Sequence, residues 1–220
     1  AIWREGEPAP RLLRQLELSD VDAGARRRDQ LQRGLAAAGG NVRALRPSTD
    51  YARVDVRLSG GSGDAEAAER WLIVQSIGGG RALAMCDEPL VLAHGLQPLP
   101  WAGVAARLAP SGGVEGQPFC LLPLPSFTGL PVHVNGFFEV STNRRDIWWG
   151  ADVAGAGRVR SDWNEALLVD VVAPAYAQLL LSAREHMPPS RADFYALWPQ
   201  RPLPEPWGGL VRAVYALALD

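Results

Sequence analysis

The stretch Gly129-Leu130-Pro131-Val132-His133-Val134-Asn135-Gly136-Phe137-Phe138-Glu139-Val140-Ser141-Thr142-Asn143-Arg144-Arg145-Asp146-Ile147-Trp148-Trp149 decides the fold. Its first half alternates as a strand does. Val132, Val134, Phe138 and Val140 share one face, and His133, Asn135, Phe137, Glu139 and Ser141 share the other. Each buried Val or Phe contributes about 1.5–3 kcal/mol. A one-residue slip would expose that whole set, so the register of a strand over 132–140 is firm. Gly136 predicts a bulge or a close backbone approach. The second half is a loop holding two adjacent arginines, followed by two tryptophans that anchor it. Positive charge is thereby held at a fixed place beside a sheet.

Upstream, residues 2–4 and 12–18 read as short strands around a turn at 6–10. Asp22 can cap a helix running to about Ala38, stopped by Gly39-Gly40. Residues 51–58 alternate as a half-buried strand, 60–63 form a Gly-rich loop, and 71–77 read as a more fully buried strand. After Gly78-Gly79-Gly80, residues 81–92 predict one short helix containing Pro89. Strands over 101–108 and 119–124 flank a loop at 110–118. Downstream of the arginines, a Gly-rich loop over 150–157 leads to a helix start at Asp162-Trp163-Asn164-Glu165. Leu167, Leu168, Val171, Val172, Tyr176, Leu179 and Leu180 then recur at helical spacing, and Pro174 should kink that helix. Helices over 191–197 and 207–219 follow, joined by a stiff linker at 199–206.

Strands with interspersed helices, then a helical run, predict an α+β fold with a mixed, mostly antiparallel sheet packed by helices. The division expected is a sheet domain over 1–160 and a helical extension over 161–220, forming one compact unit. Its 220 residues suffice to bury a core without disulfide or metal. A formal charge of −2 excludes a general attraction to nucleic acid or anionic lipid. All 22 basic residues are arginine, so lysine nucleophile chemistry is unavailable. Cys86 and Cys120 form no C-x-x-C pattern and read as free thiols of a cytoplasmic protein. No run reads as apolar and long enough to cross a bilayer. The chain opens at Ala1 and is read as a segment of a longer protein.

Familiar chemistries fall short one by one. His133 and Glu139 are separated by about 20 Å along a strand at ~3.3 Å per residue, too far to share one metal ion. Gly60-Gly61-Ser62-Gly63-Asp64 breaks the nucleophile-elbow pattern at its last position. Cys120 and His133 remain a conceivable pair, although Cys120 sits in apolar sequence. Gly78-Gly79-Gly80-Arg81 lacks the ending of a phosphate loop, and Gly155-Ala156-Gly157 lacks a third glycine. Both read as turns. Arg26-Arg27-Arg28 reads as a solvated helix face. The chain alone is therefore expected to be no enzyme and to hold no metal or cofactor.

Asn143-Arg144-Arg145 stands apart. Two readings are open: a structural ion pair of Arg145 with Asp146 or Glu139, or a guanidinium offered to an anion outside this chain. An inserted arginine can be worth ~10³–10⁵ in phosphoryl-transfer rate.

A series of motifs in order resembles the sacsin family of giant co-chaperones. It includes Trp71-Leu72-Ile73-Val74 with Gly78-Gly79-Gly80, Leu99-Pro100-Trp101-Ala102-Gly103, and Phe119-Cys120-Leu121-Leu122-Pro123. Thr128-Gly129-Leu130-Pro131, Asn143-Arg144-Arg145, Trp148-Trp149-Gly150, Ser161-Asp162-Trp163-Asn164 and Glu205-Pro206-Trp207 continue it. The resemblance covers most of the chain from about Tyr51. It implies a segment of an internal repeat that follows an ATPase-like domain, similar to the middle segment of the ninety-kilodalton heat-shock chaperones. It also implies client proteins or chaperone machinery as partners. On that resemblance Asn143, Arg144 and Arg145 are the candidate contacts to a neighbouring domain's ATP. The alternative is a structural spacer of a giant repeat protein, with no nucleotide contact.

Overall fold

The computed structural model describes residues 2–4, 11–18, 29, 32–33, 36, 41–60, 67–110, 112–150, 155–187 and 191–219. Among these, eight strands form one sheet: β1 (Ile2–Arg4), β2 (Arg11–Leu18), β3 (Ser48–Gly60), β4 (Ala67–Ile77), β5 (Trp101–Ala109), β6 (Pro118–Cys120), β7 (Leu122–Pro123) and β8 (His133–Gly136). Their spatial order is β1-β2-β3-β4-β5-β8-β6-β7. Every neighbouring pair is antiparallel except β6 and β8, which run parallel. The α+β class and the mixed, mostly antiparallel sheet are as the sequence predicts.

The inward face explains the alternation. Leu72 and Val74 of β4, Ala102, Val104 and Ala106 of β5, and Val134 of β8 are all fully buried. They meet the long helix α3 (Ala156–His186), whose Leu167, Leu168, Val171, Val172, Tyr176, Leu179 and Leu180 are buried as their spacing predicts. On the outward face Trp71 stacks on His133 with centroids 5.6 Å apart. Helix α5 (Trp207–Leu219) packs behind α3, and the Tyr176 hydroxyl donates to the Leu197 carbonyl at 2.7 Å. That bond ties the chain before the proline-rich linker to the core.

Several boundaries differ from expectation, each for a local reason. Helix α3 begins at Ala156, not at Asp162, and the proposed 160/161 boundary falls inside it. Gly155, at φ 59°, makes the entry turn. Asp162 therefore sits in the second turn, where it pairs with Arg158 at 3.0 Å and Arg81 at 3.5 Å instead of capping. Pro174 leaves the Asp170 carbonyl without its usual helical donor. A π-helical turn at Leu168–Val172 takes up that disruption. By length and composition α3 could cross a membrane, contrary to the sequence expectation, yet 72% of its most apolar window is buried within the fold.

The predicted single helix over 81–92 is two: α1 (Gly80–Met85) and α2 (Pro89–Ala93), because Pro89 opens a new helix instead of continuing the old one. The strand expected over 119–124 is split by Leu121 at φ 62° into β6 and β7. Pairing of 132–140 with the sheet is confined to His133–Gly136, Val140 bridging Ile147 outside it, although alternating burial continues to Phe138. The last helical stretch before the linker is α4 (Arg191–Tyr195). Asp29, Gln32, Arg33 and Ala36 are helical, as predicted for 22–38. The rest of that stretch, including Arg26, Arg27 and Arg28, lies outside the described residues, as do the turn at 6–10 and residues 61–66.

Gly78 and Gly80 of the triple glycine are explained by a close approach to the π turn. A Cβ on Gly78 would overlap Val171 Cγ2 and lie 2.9 Å from the Asp170 carbonyl. Asp170 then caps α1, its carboxylate accepting the Ala82 N–H at 2.9 Å. The turn that resembled a phosphate cradle is a packing joint between β4 and α3.

Candidate functional site

The arginine loop is the tip of a narrow hairpin. The Trp148 N–H donates to the Glu139 carbonyl at 2.7 Å, Val140 bridges Ile147, and the Ser141 N–H donates to the Asp146 carbonyl at 2.9 Å. The turn closes with the Arg144 N–H on the Ser141 carbonyl at 2.7 Å. Arg144 itself takes φ 51°, a left-handed conformation that a residue with a Cβ adopts at a cost of roughly 1–2 kcal/mol. Local side chains compensate. Ser141 Oγ accepts the Arg145 and Asp146 N–H groups at 3.2 Å each, and Asn143 Oδ1 also accepts the Arg145 N–H at 3.2 Å. Asn143 is thus a turn-former, and its carboxamide oxygen is spent within the loop.

Helix α3 braces both legs of the hairpin. Asn164 is fully buried. Its Oδ1 accepts the Glu139 N–H at 2.9 Å, and its Nδ2 donates to the carbonyls of Glu139 at 2.7 Å and Trp148 at 2.8 Å. The neighbouring Trp163 Nε1–H donates to the Phe137 carbonyl at 2.8 Å. Arg160 lies 5.4 Å from the centre of the Trp148 ring and pairs with Glu139 at 3.5 Å. Ile147 is buried beneath. Of the two anchoring tryptophans expected, Trp148 is half-buried while Trp149 is 38% exposed.

The two guanidiniums have different fates. Arg144 Nη2 donates to the Cys120 carbonyl at 3.2 Å, across to the turn after β6. The Arg145 side chain is exposed, with no hydrogen bond or ion pair among the described residues. Both acids that could have held it are engaged elsewhere. Glu139 faces Arg160, and Asp146 Oδ1 accepts the Ser126 hydroxyl at 3.1 Å and the Ile147 N–H at 2.8 Å. The structural ion pair of Arg145 is thus not formed among the described residues.

His133 and Cys120 are not brought together as a reactive pair. His133 Nδ1 accepts the Gln117 N–H at 3.2 Å, while Cys120 Sγ–H donates to the Phe138 carbonyl at 3.4 Å. Burial, and then the Arg107 charge, hold the His133 imidazole below its ordinary pKa, so it stays neutral between Trp71 and Phe119. Both cysteines are free, and burial with Asp87 pushes the Cys86 thiol up to about 11. An open groove of about 650 Å³ runs between Thr128, Gly129 and Pro131 on one side and Arg201, Pro202 and Leu203 on the other.

Sequence reasoning assigned no role to Asn164 or Asp170. The available signal was a poor helix former, flanked by Trp163 and Ala166-Leu167, placed where an apolar helix face was due.

The fold and hairpin define an α+β module that displays a braced, solvent-facing arginine. Over 118 residues, 52% of this chain, the sequence is 38% identical to human sacsin, and the match covers 2% of sacsin's length. The chain carries a sacsin-like segment. No family model matches it, and no solved structure matches it.

Proposed function

We propose that this chain is a middle-type module of a sacsin-like co-chaperone of the cytoplasm, engaging protein partners and supplying Arg145 to the ATP of an adjoining ATPase-like domain. The observation that carries the reading is the contrast within the arginine pair. Arg144 is tied to the Cys120 carbonyl, whereas Arg145 projects from a braced turn without a partner among the described residues. Leaving a guanidinium unpaired on a loop fixed by a buried asparagine gains little stability. It does pre-organise a cation for an external anion. The likeness to the middle segment of the ninety-kilodalton chaperones rests on the order of strand, loop and arginine alone. ATP, on this reading, is held by the adjoining domain and not by this chain.

A second reading, a structural spacer without nucleotide contact, is favoured by one fact. The backbone amides of Arg144 and Arg145 and one of the two guanidiniums are already satisfied locally. Single Arg144→Ala and Arg145→Ala variants, in a protein that includes the adjoining domain, separate the two. The arginine reading requires ATP turnover to fall for Arg145→Ala with no loss of thermal stability. The spacer reading requires turnover to be unchanged in both.

A further inference from the structure

The turn after β6 is built from a residue type that its geometry opposes. Leu121 has φ 62°, where a residue with a Cβ is strained, and its side chain is 68% exposed. Leu122 beside it is 67% exposed. Glycine or asparagine at 121 would relieve the backbone and the exposure together. Single exposed leucines are ordinary, but contiguous apolar surface on a braced turn marks a contact site. The turn is held from two sides: Asn135 Oδ1 accepts the Leu121 N–H at 3.3 Å, and Arg144 Nη2 donates to the Cys120 carbonyl at 3.2 Å. The Arg144 guanidinium thus sits one peptide unit from the exposed leucines, with Arg145 following it.

We propose that Leu121, Leu122 and Arg144, flanked by Arg145, form a docking surface for an acidic segment of a protein partner that carries large apolar side chains. Charge complementarity selects the occupant. On the hairpin Glu139 is paired with Arg160, so among the described residues the two guanidiniums of Arg144 and Arg145 stand against one carboxylate not held by an arginine, Asp146, which accepts the Ser126 hydroxyl and the Ile147 N–H. A lipid surface fits less well. Two arginines are worth about 2 kcal/mol at an anionic membrane, and Asp146 opposes them. The surface deepens the protein-partner half of the proposed function and does not require Arg145 to meet a nucleotide.

Fluorescence anisotropy with a labelled helical peptide of repeating Glu and Leu tests it, beside the Lys-for-Glu peptide and phosphatidylserine-containing vesicles. The acidic peptide binds with an affinity that falls with salt, and Leu122→Ser or Leu121→Asn weakens it about tenfold. Leu121→Asn also raises the melting temperature, since asparagine tolerates the left-handed conformation. The proposal is overturned if the acidic peptide does not bind, if the Lys peptide binds equally, or if binding is confined to vesicles. Unchanged affinity in Leu122→Ser overturns it too, whatever Leu121→Asn does to folding. ATP turnover of Arg145→Ala is read separately, so failure of peptide binding and failure of the arginine reading are distinguishable.

Discussion

Asn164 and Glu139 form a reciprocal pair: the asparagine accepts the Glu139 N–H at 2.9 Å and donates to the Glu139 carbonyl at 2.7 Å. With the further bond to the Trp148 carbonyl, one buried side chain from α3 satisfies three backbone groups on both legs of the arginine hairpin. The hairpin is therefore tied to the helix on both of its legs.

Asn164→Ala leaves two polar backbone groups, the Glu139 N–H and the Trp148 carbonyl, without this partner, while the Glu139 carbonyl keeps the Trp148 N–H. Each costs about 1–3 kcal/mol, so the loss is roughly 2 kcal/mol or more. For a chain of this length that lowers the melting temperature by about 6 °C, as calorimetry or thermal circular dichroism would read. A loss under about 1 kcal/mol would show that the brace is dispensable.

The triple glycine is predicted to be intolerant for steric reasons. Gly78→Ala drives a methyl group into Val171 and the Asp170 carbonyl, both in the π turn of α3. Overpacking of this kind costs about 1–3 kcal/mol, and denaturant titration measures it. Combining it with Val171→Ala should recover part of the loss, because that change removes the clashing Cγ2. Strict additivity of the two would contradict the contact.

What the sequence disclosed, and what it withheld, divides by range. The alternation of Val132, Val134 and Phe138 and the helical spacing from Leu167 to Leu180 were legible, because burial periodicity is a local signal. The start of α3 was not. Gly155 and Gly157 looked like loop, and the Asp162-to-Glu165 pattern imitates a cap. The helix starts at Ala156, which puts Asp162 in its second turn, where it pairs with Arg158 and Arg81. The arginine pair was legible as a candidate but not as two unlike residues. Their difference depends on the Cys120 carbonyl, 24 residues away in sequence. The reversal at Leu121 was invisible for a related reason, since leucine carries no turn signal.

His133 gives a pH dependence with a definite sign. Its folded-state pKa is lowered by burial and by Arg107. The unfolded chain therefore takes up a proton that the folded chain refuses as pH falls below the ordinary histidine value, near 6.5. The contribution is fully present above that value and is lost as pH falls toward the depressed folded value. His133→Gln should flatten this part of a stability-versus-pH curve. An unchanged slope would assign the dependence elsewhere.

The two thiols should differ in reactivity. Cys86 is buried, with its pKa at about 11, whereas Cys120 is only partly buried. Thiolate is the reactive form, so alkylation of the native protein at pH 8 should modify Cys120 first and reach Cys86 only on unfolding. Peptide mapping after timed iodoacetamide treatment reads this directly. Comparable native labelling of both would contradict the burial of α1 against the core.

The central claim is that Arg145, and not Arg144, is presented to an external phosphate. Single-turnover ATP hydrolysis, in a protein that joins this chain to the ATPase-like domain proposed to adjoin it, tests it most directly with Arg145→Ala, Arg145→Lys and Arg144→Ala side by side. A lost inserted arginine can cost up to ~10³–10⁵ in rate, and lysine does not replace its fork. The account predicts at least a tenfold fall for both Arg145 variants, a smaller change for Arg144→Ala, and an unchanged melting temperature for the Arg145 variants. Wild-type rates in both Arg145 variants would contradict it and leave the hairpin a structural element.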